Sequence, residues 1–206
     1  MNVQEAAIQA QLAIGVSNKQ PALPADSLLA MWQQAVADSG ERPAFTCLGQ
    51  TLSYAEIDQL GERIAGYFHT QLGLAAGDRL AIQLPNLLQY PIVVIAAWKL
   101  GLVIVNTNPM YTHRELVHQF NDSGAKAVVV LDQFYDTLQA ALPETGIEHV
   151  VVTRAIDLLP QPKKTLLTAV TKVLGKRPSL PAQGIISFTD MLAGQSAYPS
   201  HTPAYD

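Results

Sequence analysis

Three short apolar runs, RLAIQLP (79–85), LVIVN (102–106) and AVVVL (127–131), constrain this chain more than any other feature. Each has strand length, and the segments between them are long enough to cross over and return parallel. Strands alternating with helix-length connections point to a parallel α/β sheet. All three runs are apolar at nearly every position, so they lack the alternation of a sheet with one wet face and should be covered on both sides. The connection LLQYPIVVIAAWKL (87–100) has Lys99 as its only charge. It reads as a helix enclosed on nearly all sides, with Pro91 tolerable only in the first turn. Its fourteen residues are too few to span a bilayer.

The bulk composition excludes more than it assigns. At 206 residues the chain can bury one substantial core, or one core and a smaller attachment. A net charge of −4 with 15% charged residues gives no general attraction to nucleic acid. Cys47 is the sole cysteine, which excludes a disulfide within the chain, and its apolar surroundings predict a buried structural thiol. The first twenty residues carry Glu5 and no basic leader before an unbroken apolar core, so no secretory signal is expected and a cytoplasmic address fits.

Local signals divide the chain into four parts. Residues 1–24 read as an amphipathic arm and a Pro-containing linker, and 25–155 as an α/β sheet unit. Residues 156–193 read as a basic helical insertion with a return segment, and 194–206 as a linker. Within the second part Asp26 is placed to cap a helix with Leu28, Leu29, Trp32 and Val36 inward. Ala44–Leu48 and Thr51–Ser53, joined by a Gly49-Gln50 turn, predict a hairpin. Ser53/Glu56 and Thr112/Glu115 stand at capping-box spacing and should open two helices. The first carries Ile57, Leu60, Ile64 and Phe68 on one stripe and stops near Gly73; the second turns Leu116, Val117 and Phe120 inward. A helix over 133–141, a strand over His149–Val152, and a strand with a helical turn over 185–193 complete the pattern. From Leu158 to Thr189 there is no acidic residue, while Lys163, Lys164, Lys172, Lys176 and Arg177 are all present. Leu166, Val170, Val173 and Leu174 follow helical spacing among them.

Motifs that carry chemistry are scarce. The five histidines, His69, His113, His118, His149 and His201, have no zinc-type spacing, and their ordinary surface or capping roles are the expectation. No serine sits in a nucleophile elbow, and Cys47 has no evident base. There is no G-x-G-x-x-G and no Gly-Lys-Ser/Thr phosphate loop. Parallel sheets bind ligands at the carboxyl ends of their strands, which singles out Leu84-Pro85-Asn86 and Asn106-Thr107-Asn108-Pro109 as candidate ligand loops. Asn and Pro at such positions also serve turn geometry alone.

Several stretches resemble the adenylate-forming acyl-CoA synthetases, and within them the bacterial long-chain fatty acid–CoA ligases. Thr51-Leu52-Ser53-Tyr54-Ala55-Glu56-Ile57 is similar to one conserved stretch of that family. Trp98-Lys99-Leu100-Gly101 through Val105-Asn106-Thr107-Asn108-Pro109 is similar to another. Gly77-Asp78-Arg79, Leu84 through Pro91, and Tyr111-Thr112 through Gly124-Ala125 resemble the long-chain branch. The resemblance covers roughly residues 25 to 200, including the basic 160–178 insertion. It implies a two-step reaction in which a fatty acid carboxylate attacks the α-phosphorus of ATP, and coenzyme A then displaces AMP, with magnesium neutralising the phosphates. It also implies that this chain is the N-terminal, truncated part of that fold. The phosphate loop and the adenine- and ribose-contacting motifs would follow after Asp206, so no catalytic, cofactor-binding or metal-binding position is assigned to this chain.

The expectation is therefore an N-terminal portion of such a ligase, inactive by itself, with fatty acid as the parent's substrate. A noncatalytic α/β module binding a partner or an acyl group is the alternative. An anionic membrane surface is an expected partner of Lys163, Lys164, Lys172, Lys176 and Arg177. Apolar surface that downstream sequence would otherwise cover predicts a homo-oligomer.

Overall fold

A computed structural model describes residues 26–173, 180 and 184–193. The arm read over 1–24 and the linker over 194–206 lie outside the described residues, as do Leu174, Lys176 and Arg177 of the basic segment.

Helix α1 (Leu28–Ser39) leads into an antiparallel hairpin of β1 (Pro43–Cys47) and β2 (Gln50–Ser53), followed by α2 (Tyr54–Thr70). Next come β3 (Arg79–Gln83), α3 (Gln89–Leu100), β4 (Val103–Asn106), α4 (His113–Ser123) and β5 (Ala127–Leu131). A 3-10 turn (Asp132–Phe134), α5 (Tyr135–Ala141), β6 (His149–Thr153), α6 (Lys163–Val173), β7 (Ile186–Ser187) and α7 (Phe188–Ala193) follow. The last five strands form one parallel sheet in the order β4-β3-β5-β6-β7. The parallel α/β expectation is met.

Alternating strand residues feed two cores. Leu80, Ile82, Ala127, Val129 and Val151 point to one face and pack with α2, α3 and α7. Ala81, Val128, Val130, Val150 and Val152 point to the other and pack with α4 and α5. Cover for β3, β5 and β6 thus comes from this chain itself, without help from outside. Strand 102–106 departs from the expectation of two-sided burial, because β4 is the edge of the sheet and Val103 is 50% exposed.

Both capping boxes form where the sequence places them. The Ser53 hydroxyl accepts from the Glu56 N–H at 3.2 Å, and the Glu56 carboxylate accepts from the Ser53 N–H at 2.8 Å. At Thr112 the backbone N–H and the hydroxyl both donate to Glu115, at 2.8 and 2.7 Å. These hydrogen bonds, the backbone one foremost, hold the Glu115 carboxyl below its usual range. Helix α3 begins at Gln89, so Pro91 falls in its first turn, as its missing N–H requires. It crosses α2 closely at Gly61, where a Cβ would lie 2.9 Å from Ile95 Cγ2. Lys99, the one charge of α3, is buried and pairs with Asp58 at 2.9 Å.

Three local expectations are corrected. The α1 cap is Ser27, whose hydroxyl accepts from Ala30 N at 2.9 Å, and Leu28, now the first helical residue, is exposed instead of inward. The hairpin turn is Leu48-Gly49, one residue earlier than read, with φ of 51° and 73°. Both central residues of a type I′ turn need positive φ, which suits Gly49 and strains Leu48. Cys47 is half-buried, because it packs against the core on one side and borders an open cleft on the other.

Candidate functional site

Strand order decides where a ligand site can lie. β3 leaves the sheet toward α3 on one face, while its neighbour β5 leaves toward α5 on the other. The crevice between their carboxyl ends is the topological switch point at which open α/β sheets bind ligands. Gln83 ends β3 there, fully buried; its Nε2 donates to the Pro109 carbonyl at 3.4 Å and its Oε1 has no hydrogen-bond partner. Across the same edge Asp132 lies 3.7 Å from Arg154 Nε. Gln89 Nε2 donates to the Arg154 carbonyl at 2.8 Å. Asp157 accepts from the Arg154 N–H at 2.7 Å and from the Thr153 hydroxyl at 3.1 Å.

The two candidate loops of the sequence meet at this edge, though their polar groups mostly hold the loops themselves. Asn106 Oδ1 accepts from Tyr90 OH at 2.9 Å, and its carbonyl accepts from Gln119 Nε2 at 3.0 Å. Asn108 Oδ1 accepts from Met110 N at 3.0 Å, an Asx-type turn. Thr107 is buried, with its hydroxyl on the Val105 carbonyl at 3.2 Å. Gln119 Oε1 is a second buried acceptor without a partner.

Loop 84–86 faces a different space as well. Between β1 and the start of α3 opens a cleft of about 320 Å³, walled by Phe45, Cys47, Leu87, Leu88 and Pro91, with Thr46, Asn86 and Tyr90 at its polar margin. That volume stands at the lower end of small-molecule sites, about 300–1,000 Å³. Beyond Cys47, Leu87 and Leu88 the space shrinks to about 10 Å³ against Leu48, Ala155 and Leu158. The Cys47 thiol lies 3.7 Å from the Asn86 carbonyl.

A nucleoside triphosphate needs dense positive charge and backbone donors. Loops 84–86 and 106–109 carry no cation, so these residues do not fit the phosphates of ATP. Among the described residues no group of three His, Cys, Asp or Glu could hold a metal ion. Two of the described histidines have peripheral roles: His69 Nδ1 lies 3.3 Å from the Leu74 carbonyl, and His113 pairs with Glu144 at 3.0 Å. The buried glutamines and the Asp132–Arg154–Asp157 group escaped the sequence reading. Gln83 and Gln89 left a signal there, as polar side chains inside the apolar runs RLAIQLP and LLQYPIVV.

Comparison with known proteins gives this geometry a family. The sequence pattern of the AMP-binding enzymes matches residues 32–197. The long-chain-fatty-acid–CoA ligase of Escherichia coli O157:H7 is 39% identical over 167 residues, which cover 81% of this chain and 30% of the relative. That of Haemophilus influenzae is 38% identical over 169 residues, with 82% and 30% covered. In structure, a long-chain-fatty-acid-CoA ligase from Archaeoglobus fulgidus superposes with a TM-score of 0.59 at 28% identity, over 66% of this chain and 29% of that one. The chain spans about 30% of the length of these curated relatives, in their N-terminal part. A parallel sheet whose two candidate loops carry no cation is the N-terminal α/β portion of this fold, and the chain belongs to the AMP-binding enzyme family.

Proposed function

We propose that this chain serves as the N-terminal portion of a long-chain fatty acid–CoA ligase, which joins fatty acid and coenzyme A at the expense of ATP through an acyl-adenylate. The 39% identity to the Escherichia coli ligase carries this reading. ATP, magnesium and coenzyme A belong to the parent reaction. The described residues supply the sheet on which that site is assembled, and the 206 residues alone neither exchange pyrophosphate into ATP nor make acyl-CoA. A chimera in which this chain replaces the matching third of the Escherichia coli relative should form acyl-CoA from a long-chain fatty acid. A folded chimera that lacks fatty-acid-dependent pyrophosphate exchange would overturn the reading, and exchange by the isolated chain would overturn its silence.

A second reading, peripheral association with an anionic membrane from the cytoplasmic side, is favoured by α6. Leu166 and Val170, one turn apart, are 65% and 43% exposed, and Lys163 and Lys164 stand at the start of the same helix. Each cation near an anionic surface contributes about 1 kcal/mol. No described helix is long and apolar enough to cross a membrane. Co-sedimentation with anionic but not neutral vesicles is expected, and it should weaken with Lys163, Lys164, Lys172 and Lys176 changed to Gln. Equal binding by both proteins ends this reading.

A further inference from the structure

We infer that the cleft between the hairpin and α3 is a holding site for a free, single-chain fatty acid, with the chain among Phe45, Leu87, Leu88 and Pro91 and the carboxylate toward Lys163. The inference rests on the fatty-acid reading above and adds a site to it, beside the switch-point edge, to which the cleft is joined through Asn86 and Tyr90. Three observations carry it. The first is size: at about 320 Å³ the cleft has room for about ten groups the size of a water, ~30 Å³ each. The second is chemistry, since aliphatic and aromatic side chains form the walls while Thr46, Asn86 and Tyr90 stand at the margin. Phe45 is 44% exposed, a large apolar ring left at the mouth without cover.

The third observation is charge. Lys163 Nζ donates to the Leu48 carbonyl at 2.5 Å, which brings the first cation of α6 to the turn adjoining Cys47. Lys164 follows it, held to the Asp157 carbonyl at 2.8 Å. No acidic side chain occurs between 158 and 189, and the carboxylate just before them, Asp157, accepts from the Arg154 N–H and the Thr153 hydroxyl. An apolar cleft with one ammonium group held at the turn next to its Cys47 wall suits an amphipathic anion better than a neutral alkane or a cation. The strained Leu48 carbonyl and the helix start are joined by that same hydrogen bond, so the mouth and its charge are fixed to one another.

Cys47, the sole cysteine, lines the cleft, so its labelling by a thiol reagent reports on occupancy. Decanoate, kept below its micelle-forming concentration, should slow maleimide labelling of Cys47 saturably, at least fivefold at saturation and with no ATP present. Decanol should require several-fold higher concentration, and Lys163→Gln should erase most of that difference. Leu87→Trp, which fills the cleft, and Phe45→Asp, an exposed change that puts negative charge at the mouth, should each abolish protection. An unchanged or faster labelling rate with decanoate overturns the inference, as does protection that survives both variants. Protection by phosphatidylglycerol vesicles without fatty acid would assign the surface to a bilayer and overturn it as well. None of these outcomes touches acyl-CoA formation by the chimera, so the two readings fail separately.

Discussion

Helices α3 and α6 are both rich in aliphatic residues, and they are held in opposite ways. In α3, Ile92, Val93, Ala96 and Ala97 are fully buried, and the only charge, Lys99, is neutralised by Asp58. In α6 the aliphatic Leu166 and Val170 face solvent, and two lysine side chains tie the helix to backbone carbonyls of the hairpin turn and of Asp157. One helix is kept in place by its apolar surface. The other is kept in place by its charges and leaves apolar surface free. Aliphatic content therefore says little about burial until the position of each charge is known.

That contrast breaks first at Ile92. Ile92→Ala should cost about 3–4 kcal/mol in urea unfolding, the range for a buried aliphatic truncation. A loss below about 1 kcal/mol would show that α3 is no more enclosed than α6. Lys99→Ala should cost about 2–3 kcal/mol, because it strands the Asp58 carboxylate, which is itself part-exposed. Lys99→Met, which keeps the packing, should be milder; equal losses would mean that the ammonium itself is not what matters.

The ion pair of Lys126 with Asp78, at 2.5 Å, gives a smaller and pH-dependent effect. Burial pushes the Asp78 carboxyl up, but the Lys126 hydrogen bond, the Ala75 N–H and the charges of Lys126 and Arg79 outweigh it and hold it below its ordinary value of 3.8. A depressed folded-state value means stability fully present above 3.8 and lost as the pH falls through the lower folded value. Lys126→Gln should lose about 1 kcal/mol at neutral pH and converge with the unchanged protein in acid. A gap that persists with Asp78 protonated would assign the effect to packing.

Least of all should Leu166→Ala change stability, within about 0.5 kcal/mol. Its effect belongs to association. The chain is expected to self-associate at micromolar concentration in light scattering, and Leu166→Glu with Val170→Glu should make it monomeric. A monodisperse monomer before substitution would show that the free face of α6 and the β4 edge have no partner in a second copy.

Where local chemistry decides structure, the sequence can be read directly. The two capping boxes are hydrogen bonds across three residues, and the enclosed α3 follows from its lack of charge. Non-local facts were not legible. LVIVN and AVVVL look alike, yet β4 sits at the edge and β5 in the middle, because β5 inserts beside β3 on the side away from β4. The hairpin turn shifted by one residue because Leu48 accepts a positive φ that its side chain disfavours, and its carbonyl is fixed by Lys163, 115 positions away. No turn rule contains that lysine. The candidate loops were legible from strand ends, whereas the cleft was not, since one wall comes from β1 and the other from residues 86–91 at the entry to α3.

Asp58 has a consequence for how this protein opens. Its single Oδ1 atom receives Trp32 Nε1 at 2.9 Å and Lys99 Nζ at 2.9 Å, so α1 and α3 are fastened to one point on α2. Only Leu29 of α1 is buried, so this helix can detach in native-state fluctuations ahead of α2 and α3. When it does, Lys99 keeps its counter-charge and the sheet stays closed. Amide exchange in α1 should then be fast and independent of exchange in α3, with the indole N–H of Trp32 following α1, so α1 frays while the core stays shut.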